Sequence, residues 1–185
     1  MTHLTLDELE AGMEEICLAP RDRGVVRSIV RRPENARREE LATARLDPTQ
    51  GLVGDNWSTR GSSRTADGSS HPGMQLTLMN SRVISLVAQD ESRWSLSGDQ
   101  LFVDMDLGVE NLPPGTRLKV GSATVEITPT PHTGCKKFVA RFGVDALKFV
   151  STARARGLRL RGANARVVKS GELRVGDVLQ KDESS

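Results

Sequence analysis

The chain has 185 residues, of which 37% are hydrophobic, so it is long enough to bury the core of one domain. Its 26 Lys and Arg residues nearly balance 24 Asp and Glu residues, a pattern that is not typical of proteins that bind nucleic acid or membrane surfaces. The sequence has no Tyr and four Phe, so we expect a core of Val, Leu, Ile and Ala with these four Phe as its few large members, a composition that favours β-strands. No apolar run approaches the roughly 18 residues of a membrane-spanning helix, and a soluble protein is expected.

Residues 1–22 are predicted to form a helical extension. Apolar residues recur there at three- and four-residue spacing, at Leu6, Leu9, Met13 and Ile16. Thr5 is the predicted N-cap, with Glu8 three residues later, and the helix should end before Pro20. Cys17 belongs to this helix, and we expect it to be a small buried packing residue with no chemical role.

From Gly24 onward, short strand-like runs alternate with turn residues. The runs are GVVRSIVRRP, LATARLD, MQLTLM, LFVDMDL, TRLKVG, ATVEIT, NARVVKSG and DVLQ. Many short strands at a spacing of roughly eight to twelve residues predict an antiparallel barrel or sandwich. The fold class is therefore mainly β, with one β domain, a barrel or a sandwich, over residues 23–180 and a polar tail over residues 181–185.

Two helices are predicted to interrupt the strands. The first is SRVISLVAQDE, with Asn80 as its N-cap, and the second is GVDALKFVSTARARG, which Gly157 ends. The second should place Val144 and Phe149 on one apolar face. A polar segment rich in Ser, Gly and Arg lies between Asn56 and Gly73, and we interpret it as a long mobile loop of the lid type.

The segment ITPTPHTGCKKF carries the strongest chemical signal. It places Cys135 in a Pro/Gly loop directly before Lys136 and Lys137, two cations that would stabilise a thiolate, and His132 stands three residues earlier. An exposed thiolate suits a nucleophile, a sulfur carrier or a soft metal ligand. The alternative is an ordinary loop cysteine beside solvated lysines.

Cysteine and histidine usage limits the other kinds of site. Cys17 and Cys135 lie far apart and no apolar N-terminal run is present, so we predict neither a disulfide framework nor a secretory signal, and expect the reducing cytoplasm. The sequence has no CxxC and no HExxH, and only three His, so structural zinc is not expected.

Several motifs occur in a fixed order between Gly24 and Val178. They are GVVRSIVRRP, GLVGD, QLTLMN, GDQLFV, LPPGTRLKVGSATVEIT, the Cys135 loop, and LRGANARVVKSGELRVGDVL. In this order they resemble the MOSC domain family, named for the C-terminal domain of molybdenum cofactor sulfurases, in its bacterial stand-alone form. The resemblance implies a β-barrel that binds the molybdenum-pterin cofactor (molybdopterin), with Cys135 as metal ligand or as carrier of persulfide sulfur.

Two of these motifs depart from the family pattern. The family's GEN-like motif reads Gly98-Asp99-Gln100 here, so Gln100 stands where an Asn is expected to help hold the pterin. The segment typically GD-R-H reads GDNW, so Asp55 matches and Trp57 replaces a polar residue. The resemblance still implies that Asp55 and Gln100 bind cofactor.

A pterin cofactor carries phosphate, which favours Arg donors. The candidates are Arg31, Arg32, Arg141, Arg159 and Arg161. The predicted site has Cys135, Lys136 and Lys137 as catalytic residues, Cys135 as metal ligand, and as cofactor-binding residues Asp55, Gln100, His132, Arg141, Arg161 and Asn164. The alternative for each Arg is a solvated surface charge, and for Asn164 a local backbone hydrogen bond.

Several functions stay open at this point. The chain could be a molybdenum-dependent reductase of N-hydroxylated compounds or a persulfide carrier, and either could need a protein that donates electrons or sulfur. It could instead be a non-catalytic module that stores or delivers cofactor. Nucleic-acid binding through RSIVRRP and RARGLRLRG is disfavoured, because Tyr is absent and few aromatic side chains could stack on bases. Cofactor and a small-molecule substrate are therefore the expected partners, with no membrane.

Overall fold

A computed structural model describes residues 2–182, and this part of the chain forms eleven strands. They are β1 (Arg23–Arg31), β2 (Glu39–Glu40), β3 (Thr43–Asp47), β4 (Gly51–Leu52), β5 (Leu76–Asn80), β6 (Leu101–Asp104), β7 (Arg117–Val120), β8 (Ala123–Ile127), β9 (Ala163–Lys169), β10 (Gly171–Arg174) and β11 (Val178–Lys181). Each of the eight predicted strand-like runs overlaps one of these strands, because the runs combine β-branched residues with flanking turn residues.

Seven strands close into a barrel in the order β1-β11-β7-β8-β9-β5-β6, with β6 returning to β1. The predicted β-barrel is thus confirmed. Every neighbouring pair is antiparallel except β5 and β6, which are parallel. A parallel pair needs a crossover connection, and the helical segment between these two strands supplies it.

A smaller sheet, in the order β10-β3-β4, lies beside the barrel, and β2 pairs with β1 at its edge. Gly171 is the first residue of β10. A Cβ on Gly171 would lie 2.4 Å from the backbone of Ser122 and of Ala123. This glycine therefore permits a close approach between two chain segments.

Two apolar clusters pack on opposite faces of the barrel strands. Along β6, Leu101 and Val103 belong to the aliphatic cluster, whereas Phe102 between them belongs to the other. The second cluster holds all four Phe residues together with Trp94 and packs the helices against the barrel. The expected core of aliphatic residues and four Phe is therefore present, but it is divided into two clusters, and the four Phe all belong to the second.

Residues 2–182 contain seven α-helices. They are α1 (Leu6–Ala11), α2 (Met13–Cys17), α3 (Trp57–Arg60), α4 (Ser81–Ala88), α5 (Lys136–Phe142), α6 (Val144–Phe149) and α7 (Ala153–Gly157). Two short 3-10 helices lie between these α-helices along the chain, at Pro72–Met74 and Glu91–Ser97. Among these described helices, none is long and apolar enough to span a bilayer.

The N-terminal segment forms two helices where the spacing predicted one. The capping box of Thr5 and Glu8 is present as predicted. The break falls at Gly12, where a Cβ would lie 2.5 Å from the Leu86 side chain, so the glycine lets this segment approach α4. Cys17 is exposed, so its predicted burial is wrong; Ile16, its neighbour, is the buried residue of α2.

The interior helices are partly as predicted. The side chain of Asn80 caps α4 by accepting a hydrogen bond from the Arg82 amide. The predicted helix over residues 143–157 is divided into α6 and α7, because Thr152 caps a new helix through the Ala155 amide. Val144 is 55% exposed, so it does not share a buried face with Phe149.

The polar segment contains a short helix, and the predicted tail begins within the last strand. The segment between Asn56 and Gly73 begins with α3, and the Ser70 hydroxyl donates to the Trp57 carbonyl at 2.6 Å. At the other end, Lys181 is the last residue of β11 and Lys119 pairs with Asp182 at 2.8 Å. Residue 1 of the predicted extension and residues 183–185 of the predicted tail lie outside the described residues.

Candidate functional site

A cleft of about 640 Å³ opens between the loop after β1, helix α3 and the segment that leads into α5. Its walls include residues from six parts of the sequence, so the closed barrel and its connections bring them together. The residues are Arg32, Pro33, Glu34, Asn35, Ala36, Arg38, Asn56, Thr59, Arg60, Met74, Thr77, Ser97, Gly98, His132, Cys135, Lys137, Phe138, Arg141 and Arg161.

Cys135 is exposed and lies in the wall of this cleft. It is the N-cap residue of α5, and its carbonyl accepts hydrogen bonds from the amides of Phe138 and Val139. Of the two lysines that follow, both are exposed, and Lys137 lines the cleft. The helix α5 was not predicted, because Pro131 and Gly134 made the whole segment resemble a loop.

The cleft wall is strongly cationic. Six cationic side chains line it, against the single carboxylate of Glu34: Arg32, Arg38, Arg60, Lys137, Arg141 and Arg161. Burial, and then the neighbouring charges of Arg141 and Arg32, lower the pKa of Arg38 below its ordinary value. The pKa of Arg60, which is more exposed, is also lowered, by partial desolvation and the charge of Arg32. The wall therefore has a positive charge that an anionic ligand would neutralise.

Asp55 lies behind this wall and positions Arg32. Its carboxylate accepts hydrogen bonds from the Arg32 amide, Nε and Nη2, each at 2.9 Å, and from the Trp57 amide at 3.0 Å. Arg32 Nη1 donates to the Gly98 carbonyl at 2.7 Å. The side chain of Asp55 is fully buried, so its role here is to orient a guanidinium at the cleft.

Gln100 also lies behind the wall and is fully buried. Its Oε1 accepts from the amide and the hydroxyl of Thr77, both at 2.8 Å. Its Nε2 donates to the Gln75 carbonyl at 3.2 Å and approaches Asp55 Oδ1 at 3.4 Å. The structure thus ties this predicted cofactor-binding residue into the support of Asp55.

A second buried pair joins Arg161 and Asp99. Arg161 Nη1 donates to Asp99 Oδ2 at 2.9 Å, its Nη2 donates to the Ser97 carbonyl at 3.0 Å, and its guanidinium lies 4.8 Å from the centroid of the Phe138 ring. The remaining Asp99 oxygen, Oδ1, faces His132 Nδ1 at 3.5 Å. These contacts connect two predicted residues, His132 and Arg161, through a carboxylate to which the sequence analysis gave no role.

Burial sets the protonation of this group. Burial, and then the charge of Arg161, lower the pKa of His132 from 6.5 to about 3, so the imidazole is neutral near pH 7. Burial by itself would raise the pKa of Asp99, but the charge of Arg161, the neighbouring His132 and the hydrogen bonds from Ser97 and Arg161 together outweigh it and keep this pKa below its ordinary value. A carboxylate, a guanidinium and a neutral imidazole therefore stand together.

Two further predicted residues hold the surrounding chain. Asn164, on β9, is buried and donates from Nδ2 to the Thr130 carbonyl at 3.1 Å, which tethers the segment before Cys135. Its Oδ1 is buried without a hydrogen-bond partner. Arg141 lines the cleft, and its Nη1 donates to the Leu96 carbonyl.

Of the five arginines predicted as phosphate-binding candidates, Arg31 and Arg159 do not line the cleft. Arg31 turns to Glu39, with Nε and Oε2 2.9 Å apart, and Arg159 donates to the carbonyls of Leu107 and Leu112. Sequence reasoning missed Arg38 and Arg60, which do line the cleft. The signal available for Arg38 was the density of Arg residues around Pro33, but charge alone does not distinguish a ligand from a solvated side chain.

A smaller cavity of about 220 Å³ adjoins the site. Prolines of the segment before Cys135 line it, including Pro129 and Pro131, and it shares His132 and Arg161 with the cleft. These two side chains therefore form part of a wall between two spaces. Within residues 2–182, no group of three or more His, Cys, Asp or Glu side chains is placed to hold a metal ion.

Solved structures with the same fold come from several bacteria. The YuaD protein from Bacillus subtilis has a TM-score of 0.63 at 12% sequence identity, covering 86% of this chain and 95% of its own. YiiM from Escherichia coli has a TM-score of 0.56 at 15% identity, covering 87% of this chain and 71% of its own. YiiM from Geobacillus stearothermophilus has a TM-score of 0.52 at 13% identity, with coverage of 86% and 75%.

Sequence comparison gives one family and no curated relative. No curated protein sequence matches the chain. The family model described as the MOSC domain matches residues 75–180, a range that runs from β5 to β11 and contains Asp99, His132, Cys135 and Arg161. Because this match covers more than half of the sequence and the barrel has the same fold as YiiM, the chain belongs to the MOSC domain family.

Proposed function

We propose that this chain binds a molybdenum-pterin cofactor in the cleft, with the Cys135 thiolate as a ligand of the molybdenum. The observation that carries the proposal is the position of Cys135, exposed in the wall of a cleft that six cationic side chains line. A cofactor with a phosphate and a soft metal needs cationic donors for the first and a sulfur ligand for the second. MOSC domains are linked to this cofactor.

The residues of the cleft fit such a group. Arg38 Nε is buried without a hydrogen-bond partner, and Arg38 lies near the charges of Arg141 and Arg32. An anionic oxygen would supply the missing acceptor and reduce the repulsion among these cations. We therefore assign the phosphate to Arg38, Arg60 and Arg141. The volume of about 640 Å³ lies within the usual range for cofactor sites.

When bound, the cofactor supplies an oxo-transfer centre that can take oxygen from N-hydroxylated compounds. The chain's own contribution is to bind and orient. Asp55 fixes Arg32 in the wall, and the Asn164 side chain tethers Thr130 in the segment that leads to Cys135. An electron-donor protein is a further part of this proposal.

A persulfide carrier is the second candidate, and the exposure of Cys135 favours it, because a partner protein can reach the thiol. The Cys135 thiolate would attack the outer sulfur of a donor persulfide, form a new S–S bond and release the donor as its thiolate. The acceptor would then take that outer sulfur and return Cys135 as a thiolate. The electron count balances without an added oxidant or reductant.

Metal and pterin analysis after anaerobic purification tests the proposal. Wild-type protein should contain molybdenum and a fluorescent pterin after oxidation, and Cys135→Ser should lose most of the molybdenum while it stays folded. Cys17→Ser is the matched control, since Cys17 is the other exposed free cysteine and lies in α2. Equal molybdenum and pterin in all three proteins would reject Cys135 as a ligand.

The same samples separate the remaining functions. Turnover of an N-hydroxylated base by the loaded protein with a chemical reductant supports a reductase, whereas bound cofactor without turnover supports storage or delivery. Thiocyanate released by cyanide from wild-type protein, and not from Cys135→Ser, supports the persulfide carrier. Wild-type protein with no molybdenum, no pterin and no cyanide-labile sulfur would reject both proposals.

A further inference from the structure

Two buried polar atoms face each other in the wall between the cleft and the smaller cavity. They are Asp99 Oδ1 and His132 Nδ1, 3.5 Å apart, and neither has a hydrogen-bond partner. The other oxygen of Asp99 is already used, since Oδ2 accepts from the Ser97 hydroxyl at 2.7 Å and from Arg161. Asp99 Oδ1 is therefore the acceptor that remains for the imidazole.

The charges around the pair decide what the imidazole carries. His132 is neutral, because burial and the nearby Arg161 guanidinium oppose a second positive charge. A neutral imidazole has one N–H and one lone pair. A lone pair on Nδ1 would point at a carboxylate oxygen and be repelled by it, whereas an N–H on Nδ1 is attracted to that oxygen.

We propose that Asp99 holds His132 as the neutral tautomer with its proton on Nδ1, so that Nε2 offers a lone pair to an N–H or O–H donor of the bound ligand. Asp99 is then a positioning residue. The inference rests on the proposed function only for the identity of the ligand, and an N-hydroxylated compound carries donors of this kind. The contact of 3.5 Å is long for a hydrogen bond, and such contacts often shorten when a ligand binds.

The position of His132 supports an acceptor at this wall. Its side chain is 13% exposed, and it lines both the cleft and the smaller cavity. Since Nδ1 is the buried nitrogen, Nε2 is the ring nitrogen left for a ligand. His132 also precedes Cys135 by only three residues, so an acceptor and the thiol share one short segment of the wall.

The test is 15N NMR of protein labelled at histidine, in which the two neutral tautomers and the imidazolium give different signals. The chain has three His residues, and one is an internal control. His71 Nδ1 accepts a hydrogen bond from the Gly73 amide at 3.0 Å, so neutral His71 must carry its proton on Nε2. We expect His132 to show the opposite tautomer. Spectra of His132→Gln and His71→Gln assign the signals.

The position of the proton on His132 decides between the outcomes. A proton on Nδ1 of His132, unchanged between roughly pH 5 and 8 where an unperturbed histidine titrates, supports the proposal. A proton on Nε2, or an imidazolium at neutral pH, overturns it. In protein loaded with cofactor, the 15N resonance of His132 Nε2 should shift upfield because this nitrogen accepts a hydrogen bond. An unchanged Nε2 resonance would show that His132 does not contact the ligand.

A variant of Asp99 and a variant of its neighbour Ser97 distinguish a positioning role of Asp99 from a merely structural one. Asp99→Asn should raise the population of the Nε2–H tautomer, because an amide can donate to Nδ1. Ser97→Ala is the control, since it removes a hydrogen bond to Oδ2 only and should leave the tautomer unchanged. An Nδ1–H tautomer that persists fully in Asp99→Asn would reject the role of Asp99, and the wild-type spectrum decides the tautomer even where a variant fails to fold.

The His132 tautomer and the cofactor content of the protein are measured independently. An Nε2–H tautomer in protein that contains molybdenum and pterin would reject the inference alone. An Nδ1–H tautomer in protein without either would reject the proposed function alone.

Discussion

Two buried arginine–aspartate pairs support the cleft, and they differ in how completely the carboxylate is bonded. In both, the aspartate side chain is fully buried and the arginine nearly so. Asp55 receives hydrogen bonds from five donors, which lie on Arg32, Trp57 and Gln100. Asp99 receives two, from Ser97 and Arg161, and its second oxygen is left facing a neutral imidazole.

The difference separates a structural group from one available for chemistry. A buried carboxylate with every lone pair used fixes the chain around it. A buried carboxylate with an unused oxygen is costly to keep, and such groups concentrate at functional sites. Asp55 therefore stabilises the site, and Asp99 keeps an acceptor that acts on His132.

Removal of either carboxylate should cause the largest change in the free energy of unfolding. Asp55→Ala leaves the buried Arg32 without its carboxylate and removes the acceptor of five hydrogen bonds, so it should lower the free energy of unfolding by about 3–5 kcal/mol. Asp99→Ala should cost less, about 1–3 kcal/mol, because Asp99 accepts only two hydrogen bonds and Arg161 keeps its contact with the Phe138 ring. Urea denaturation measures both values.

Asp145→Ala is the surface control for this measurement. Asp145 pairs with Lys148 across one turn of α6, and both side chains are partly exposed, so the loss should stay below about 1 kcal/mol. Equal losses for the Asp55 and Asp99 variants would contradict the distinction between the two pairs.

The fold was predictable to a large extent because its signals are local. β-branched runs and turn residues identified the barrel strands, and the order of the motifs indicated the family. The parallel pair β5–β6 and the short strand β10 were not predictable in the same way. They depend on contacts between distant segments, such as Gly171 against Ser122, which leave no periodic pattern in the sequence.

The candidate site was predictable only in part. Cys135, His132, Arg141 and Arg161 do line the cleft, whereas Asp55 and Gln100 support it from behind. A motif identifies residues near a site without telling which side of a wall each side chain occupies. The role of Asp99 depends on burial and on two partners more than 30 residues away in sequence, so no local pattern could reveal it.

The protonation of His132 gives a smaller, pH-dependent effect. Its pKa is about 3 in the folded protein against an ordinary value of 6.5, so below pH 6.5 the unfolded chain binds a proton that the folded chain does not. Stability from this residue is thus complete above 6.5 and is lost as the pH falls toward 3. From pH 7 to pH 5 the free energy of unfolding should fall by about 2 kcal/mol through this group.

The measurement is urea denaturation at both pH values for wild type and His132→Gln. The variant should lose that part of the pH dependence, and His71→Gln controls for the removal of an imidazole as such. If wild type and His132→Gln lose the same stability between pH 7 and pH 5, His132 is not a buried neutral group, and its pairing with Asp99 would need another explanation.

Arg38 extends the comparison to an arginine that has no carboxylate. Within residues 2–182 no acidic side chain lies at ion-pair distance from it, and its Nε is buried without a partner, beside Arg32 and Arg141. Arg38→Ala should therefore change the free energy of unfolding by no more than about 0.5 kcal/mol, and in the stabilising direction, since it relieves repulsion between cations. Inorganic pyrophosphate should raise the melting temperature of the wild type and not that of Arg38→Ala.

Arg37→Ala is the matched control for this smallest effect. Arg37 is the neighbouring arginine, pairs with Glu39 at 2.7 Å and lies outside the cleft wall, so its variant should keep the response to pyrophosphate. A clear loss of stability in Arg38→Ala without ligand would mean that Arg38 is already neutralised within the protein. The charge of Arg38 would then be no evidence for an anionic ligand. A neutral or stabilising change in Arg38→Ala, together with a lost response to pyrophosphate, would instead identify Arg38 as a residue that binds an anion.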